Sequence, residues 1–160
     1  MAATFSDQEI ATLLQERKPI DWQLRPRVQL RPKRGHNERD FDLTGATGNH
    51  FRLILRQNKI NPLDFSIILA VRVPMSNVLF RLRRYNGKSH EHTNHIEGVT
   101  FYDFHIHLAT ERYQEIGTRE DAFAEPTNRY GDFQAALQCM IQDVNLDIPP
   151  EAQVRLFEET

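Results

Sequence analysis

Lys88-Ser89-His90-Glu91-His92-Thr93-Asn94-His95-Ile96-Glu97-Gly98-Val99-Thr100-Phe101-Tyr102-Asp103-Phe104-His105-Ile106-His107 reads as two extended segments around a glycine-containing turn, and it carries five of the chain's seven histidines. Successive residues of a strand point to opposite faces. With Glu97-Gly98 at the centre of a two-residue turn, Ile96 faces Val99. His90 then lies opposite His105, Lys88 opposite His107 and His92 opposite Asp103, all on one face. A turn longer by two residues keeps the same set together. The alternate row, Tyr102, Phe104, Ile106 and Leu108, is apolar and has to turn inward. The polar row is therefore expected on an exposed face. Arg81 and Arg83 of the preceding strand would add cations there, and Tyr85 would border it.

The flanking sequence supplies further strands. Trp22–Leu30 alternates apolar and polar residues, with Pro26 confining it to a sheet edge. Phe41–Leu43 and Phe51–Leu55 flank Thr44-Gly45-Ala46-Thr47-Gly48-Asn49, a hairpin loop. Phe65–Val73 is a buried-looking run, and Val78–Tyr85 alternates. Ser89–Ile96 and Thr100–Leu108 form the histidine hairpin. Ser6-Asp7-Gln8-Glu9 has the form of a capping box before Ile10, Leu13 and Leu14, so a helix is expected to about Arg17, before Pro19. Asp132 is placed to cap a helix over Phe133–Asp143, and Glu151–Phe157 reads as a last short helix after Pro149-Pro150. Ala109–Gly117 fits a short helix or a strand end, and Thr118–Gly131 reads as loop. Strands joined by short loops are antiparallel. The expected fold class is α+β: a curved antiparallel sheet of about six or seven strands with N-terminal and C-terminal helices.

The 160 residues fit a single domain, 1–160, with a flexible acidic tail expected from about 145. Apolar residues at 39% are enough for a core, and 26% charged residues with a net charge of −2 exclude a strongly basic nucleic-acid coat. The charge is uneven: residues 17–39 hold eight Lys/Arg against two acids, and residues 143–160 hold five acids against one Arg. These segments suit a nucleic acid and a basic partner respectively, or plain solvation. The one cysteine, Cys139, excludes a disulfide framework and sits mid-helix as an inert core residue. The N-terminus lacks the charged and apolar regions of a secretory signal. No apolar run is long enough to span a bilayer. A cytoplasmic location without membrane contact is expected.

The histidine face suits three chemistries. Two histidines of different protonation state can act as general base and general acid in phosphodiester cleavage, with Lys88 stabilising developing negative charge. On this reading Lys88, His90, His92, His105 and His107 are catalytic, and Arg81, Arg83, Tyr85 and Asp103 are binding residues. Alternatively, His-x-His pairs on adjacent strands present three or four imidazoles to a transition metal. Third, the face is a solvated sheet surface without chemistry. The cationic Lys88 and Arg83 argue against a metal, so neither metal nor cofactor is expected. Gly45-Ala46-Thr47-Gly48 has the form of a backbone-clamping loop, but its place between strands makes it a hairpin turn. Ser89 is excluded as a nucleophile for His90, because adjacent strand residues point to opposite faces.

Three resemblances attach to these residues. His90-Glu91-His92 with Glu97 resembles the first cupin motif, although Gly87 and Gly98 sit too close and no second motif follows. Phe80–Asn94 with Phe101–His107 resembles an uncharacterised bacterial domain-of-unknown-function family, over about 30–144. Arg84-Tyr85-Asn86, Gly87-Lys88 and His90-Glu91-His92 are similar, in that order, to the TumE-like toxins of bacterial toxin–antitoxin pairs. The segment before Gly87 is shorter here, and Ser89 replaces a Gly-Asp pair. That resemblance implies a toxin-like protein acting on RNA or nucleotides by metal-independent histidine chemistry, with Lys88, His90 and His92 in its site and a cognate antitoxin protein as partner. The alternatives are a non-enzymatic regulatory module that binds a partner or nucleic acid, and a cupin-like metal-binding protein.

Overall fold

The computed structural model describes residues 3–20, 31–33 and 35–148. The strand expected over 22–30 and the helix expected over 151–157 lie outside them. Helix α1 spans Asp7–Gln15, and its capping box is complete: the Ser6 hydroxyl accepts from the Glu9 amide and the Glu9 carboxylate accepts from the Ser6 amide. Strands β1 (Lys18–Pro19), β2 (Arg31–Lys33), β3 (His36–Thr44), β4 (His50–Asn58), β5 (Phe65–Arg72) and β6 (Leu79–Asn86) follow. A short hairpin, β7 (His92–Asn94) and β8 (Val99–Phe101), separates β6 from β9 (His105–Leu108). Helix α2 (Glu111–Glu115), β10 (Ala124–Pro126), helix α3 (Phe133–Asp143) and β11 (Leu146–Asp147) complete the described chain.

The protein is α+β. Its main sheet has seven strands in the order β10-β9-β6-β5-β4-β3-β2, and every pairing in it is antiparallel. Short loops join β3 to β4, β4 to β5 and β5 to β6, and they impose that direction. Beta strand β10 falls in a segment read as loop, because three residues containing Pro126 give no periodic signal. The ambiguous Ala109–Gly117 segment contains α2, capped by the Thr110 hydroxyl, which accepts from the Tyr113 amide. Among the described residues no helix is long and apolar enough to cross a membrane.

One face of the sheet is the core. Phe51, Leu53, Leu55, Ile67, Leu69, Tyr85 and Ile106 pack there against Ile10, Leu13 and Leu14 of α1 and Phe133, Leu137, Met140 and Ile141 of α3. Strand alternation sends Ser66, Ile68, Arg84, Asn86, His105 and His107 to the other face. Gly45 is needed where the β3–β4 loop meets α1, since a Cβ there would fall 2.0 Å from the Glu16 carboxylate. That carboxylate accepts from the Thr47 amide and the Asn49 side chain, so the loop is a structural latch.

Lys18 joins the two ends of the described chain. Its side chain is fully buried, and its ammonium donates to the carbonyls of Leu13, Leu14, Glu16 and Val144 at 2.7–3.0 Å. These carbonyls close α1 and α3, where helical partners run out. Strand β11 pairs in parallel with β1 beside it, so the chain is packed through Ile148. Burial lowers the Lys18 pKa to about 8, against the opposing pull of Glu16. Lys18→Met keeps the aliphatic stem and orphans the four carbonyls. Urea denaturation should show a loss on the order of 3 kcal/mol. A loss below about 0.5 kcal/mol would mean that these hydrogen bonds do not hold the ends together.

Candidate metal centre

The candidate site begins with β9. In its register His107 lies between Arg84 of β6 and Ala124 of β10, and His105 lies between Asn86 and Pro126. Ile106, between the two histidines, points into the core. The β7–β8 hairpin lies against this histidine face. Its register pairs His92 with Phe101, Thr93 with Thr100 and Asn94 with Val99, leaving His95–Gly98 as a four-residue turn. Gly98 takes φ +67°, a left-handed conformation that glycine adopts without steric cost, and its amide donates to the Asn94 carbonyl.

The hairpin is anchored at two points. The Asn94 side chain pairs with the edge strand β10 as another strand would: Oδ1 accepts from the Ala124 amide (2.9 Å) and Nδ2 donates to the Ala124 carbonyl (2.7 Å). At the turn, the Glu97 carboxylate accepts from the Tyr113 hydroxyl (2.7 Å) and from Arg112 (3.1 Å). The Ile96 amide donates to the same hydroxyl. His92 thereby stands with its ring centroid 5.5 Å from that of His105 and 4.8 Å from that of His107. The His105 and His107 rings are 5.0 Å apart, and the exposed His90 packs edge-to-face on His105 at 5.8 Å.

The hydrogen bonds fix the tautomers. His105 Nδ1 lies 2.7 Å from the Asp103 carbonyl, and His107 Nδ1 lies 2.7 Å from the Asp121 carbonyl. His92 Nε2 lies 2.8 Å from Asn94 Oδ1, an oxygen whose own amide group is turned toward Ala124. Each partner is an acceptor, so each of these ring nitrogens carries the proton. Nε2 of His105, Nε2 of His107 and Nδ1 of His92 are left with lone pairs. The Asn86 amide, 3.4 Å from His105 Nε2, is a donor consistent with that assignment. One potential ligand atom from each of the three rings lies within 4.8 Å of the other two. Burial is the main force lowering the His105 pKa to about 4, with help from His92, His90 and Arg84. Burial, then Arg84 and His105, push His107 down to about 2. Both rings are neutral imidazoles at ordinary pH.

The structure gathers His90, His92, His105 and His107 as the alternation argument requires, but it corrects their setting. His105 and His107 are 0% and 3% exposed rather than solvent-facing, because the hairpin covers them. The expected register is also wrong. The second strand breaks at residues 102–104, so His92 faces Phe101 and not Asp103, and His105 leaves the hairpin for the main sheet. Lys88 is exposed, with its ammonium 6.0 Å from the Tyr102 ring. Asp103 is exposed and serves through its backbone carbonyl. Arg83 and Tyr85 lie on the core side with Asp143, and Arg81 pairs with Glu120. Arg83, one of the cations invoked against a metal, is therefore turned to the other side of the sheet from the imidazole cluster. His95 is exposed in the turn, and Cys139 is half-buried, its Sγ 3.8 Å from the Arg129 carbonyl. Asn86, Asn94 and Asp121 were missed as supporting residues. Only Asn94, in phase with His92 on β7, carried a sequence signal.

No protein-family model, curated protein or solved structure matches the chain.

Unfolded histidines titrate near 6.5, well above the folded values of about 4 and about 2. Between those limits the unfolded chain binds more protons than the folded one, so stability is greatest above pH 6.5 and falls on acidification. In protein freed of metal with a chelator, the urea midpoint should be lower at pH 5 than at pH 7, and His107→Asn should flatten the difference. A midpoint that rises on acidification would contradict buried, neutral rings.

Proposed function

We propose that this is a metal-dependent protein in which His92, His105 and His107 hold one divalent transition-metal ion of the zinc class. The observation that carries the reading is the hydrogen-bond pattern. Each of the three rings gives its N–H to an oxygen acceptor and keeps a lone pair on its other nitrogen. Metal-binding histidines show this outer-shell arrangement, which sets the tautomer and raises ligand basicity. Zinc bonds of 2.0–2.1 Å set ligand nitrogens roughly 3.3 Å apart, so the rings must draw together from their separations of up to 4.8 Å. His92 rides on the separate hairpin and is the ring best placed to close that gap.

Three neutral ligands leave a coordination position for water or substrate, the arrangement of catalytic rather than structural zinc sites. The chemistry it suits is Lewis-acid activation and metal-assisted hydrolysis. A second reading, the toxin-like acid–base enzyme acting on RNA or nucleotides, draws support from His90. That ring is exposed at the rim, and residues 89–90 lie in a bend rather than a strand, so its Nδ1 meets the Ser89 hydroxyl at 3.1 Å against the expected alternation; that hydroxyl donates to Asp64 (3.1 Å). It requires toxicity on expression, relief by a neighbouring gene, and activity that survives chelation.

Elemental analysis of protein purified without an affinity tag should give one metal per chain. His107→Ala should weaken binding at least about 100-fold, and Asn94→Ala, which removes both the acceptor for His92 and the hairpin's anchor on β10, by at least roughly 10- to 100-fold. Absence of stoichiometric metal after reconstitution, or a His107→Ala variant that binds as tightly as the parent, would overturn the reading.

A further inference from the structure

We infer that Arg84, beside the three histidines, forms an oxyanion-binding site, so that the ligand taken by the centre is a small molecule bearing a carboxylate or phosphoryl group. The inference rests on the metal reading and adds a substrate class to it. Arg84 is the β6 residue directly opposite His107, on the same sheet face. Directly paired residues have Cβ atoms about 5 Å apart.

Arg84 is short of partners. Its side chain is 17% exposed, and Nε is buried with no hydrogen-bond acceptor among the described residues. The nearest carboxylate, Asp121, is 3.4 Å from Nε. Asp121 is itself fully buried, is shared with Arg81 at 3.8 Å and Arg119 at 3.5 Å, and neither of its oxygens has a hydrogen-bond partner. Glu120 is the other acid here, and it is taken up by Arg81. Three guanidinium groups therefore face two carboxylates and leave one positive charge in excess.

An arginine that serves structure alone behaves differently in this molecule. Arg129 grips both oxygens of Asp143, at 2.8 Å each. A guanidinium offers five donors in a planar fork that matches a carboxylate or phosphoryl group. A buried one without that match bears a desolvation cost which an incoming anion would relieve. An anion with one oxygen on the metal's open position and another on the Arg84 fork satisfies both requirements. The hairpin limits its size, because His92 and Asn94 close the face over β9 and β10.

Cobalt(II)-substituted protein tests the inference in two stages. Cobalt is first titrated alone and followed by its visible d–d bands, which reports on the metal reading by itself. Acetate or inorganic phosphate is then titrated into the loaded protein, as separate arms that distinguish the two ligand groups. At least one anion should shift the bands saturably. Arg84→Met should weaken that anion about 10- to 100-fold without weakening cobalt binding. Arg84→Lys, which keeps the charge but loses the fork, should fall between them and covers the case in which the methionine variant does not fold. Cobalt binding with no response to either anion, or equal anion affinity in parent and Arg84 variants, would overturn the site while leaving the metal centre standing. Failure of cobalt to bind would remove both.

Discussion

Everything at the site depends on the place of β9 between two strands. Its register with β6 and β10 is fixed, and Ile106 is committed to the apolar core. Two-residue alternation leaves His105 and His107 no choice of face. A one-residue slip would bury both imidazoles in the core and turn Ile106 outward. Tyr130 reinforces the register from the core side, its hydroxyl donating to the carbonyls of Asn86 and His105 across the β6–β9 pair. The sheet is thus the rigid part of the site.

The hairpin is the adjustable part. It leaves the sheet between β6 and β9 and returns His92 to the histidine face. It is held there by Asn94 on the β10 edge and Glu97 on α2 rather than by ladder bonds to the main sheet. The covered imidazoles would be costly if their N–H groups lacked acceptors. The backbone carbonyls of Asp103 and Asp121 supply those acceptors, one beside each end of β9 in space although the residues are far apart in sequence. The same bonds that make burial tolerable leave the lone pairs where a cation can use them.

The sequence made much of this legible, for reasons that are local. The Ser6–Glu9 capping box, the Asp132 cap and the core rows of β4 and β5 are signals carried by neighbouring residues, and they appear as read. The grouping of His90, His92, His105 and His107 was expected from strand parity across one hairpin, but it arises because the β7–β8 hairpin lies against the histidine face of β9. What parity could not give was the break at residues 102–104. A run from Thr100 to Leu108 alternates without interruption, yet its first part belongs to the hairpin and its last part to the sheet. Exposure of His105 and His107 was misjudged for that reason: a face left open by one continuous hairpin is closed when the hairpin folds away from its own continuation. The Arg84–Asp121 contact and the Ala124 edge lie in pairings between distant segments, one of them through a three-residue strand too short to announce itself.

The most direct measurement is anomalous diffraction from crystals of the protein grown with zinc, recorded on both sides of the zinc absorption edge. A single strong difference peak should lie among His92 Nδ1, His105 Nε2 and His107 Nε2, with refined distances near 2.0–2.1 Å. No peak there, or a peak held by the other nitrogens of these rings, would contradict the assignment of tautomers and with it the metal centre.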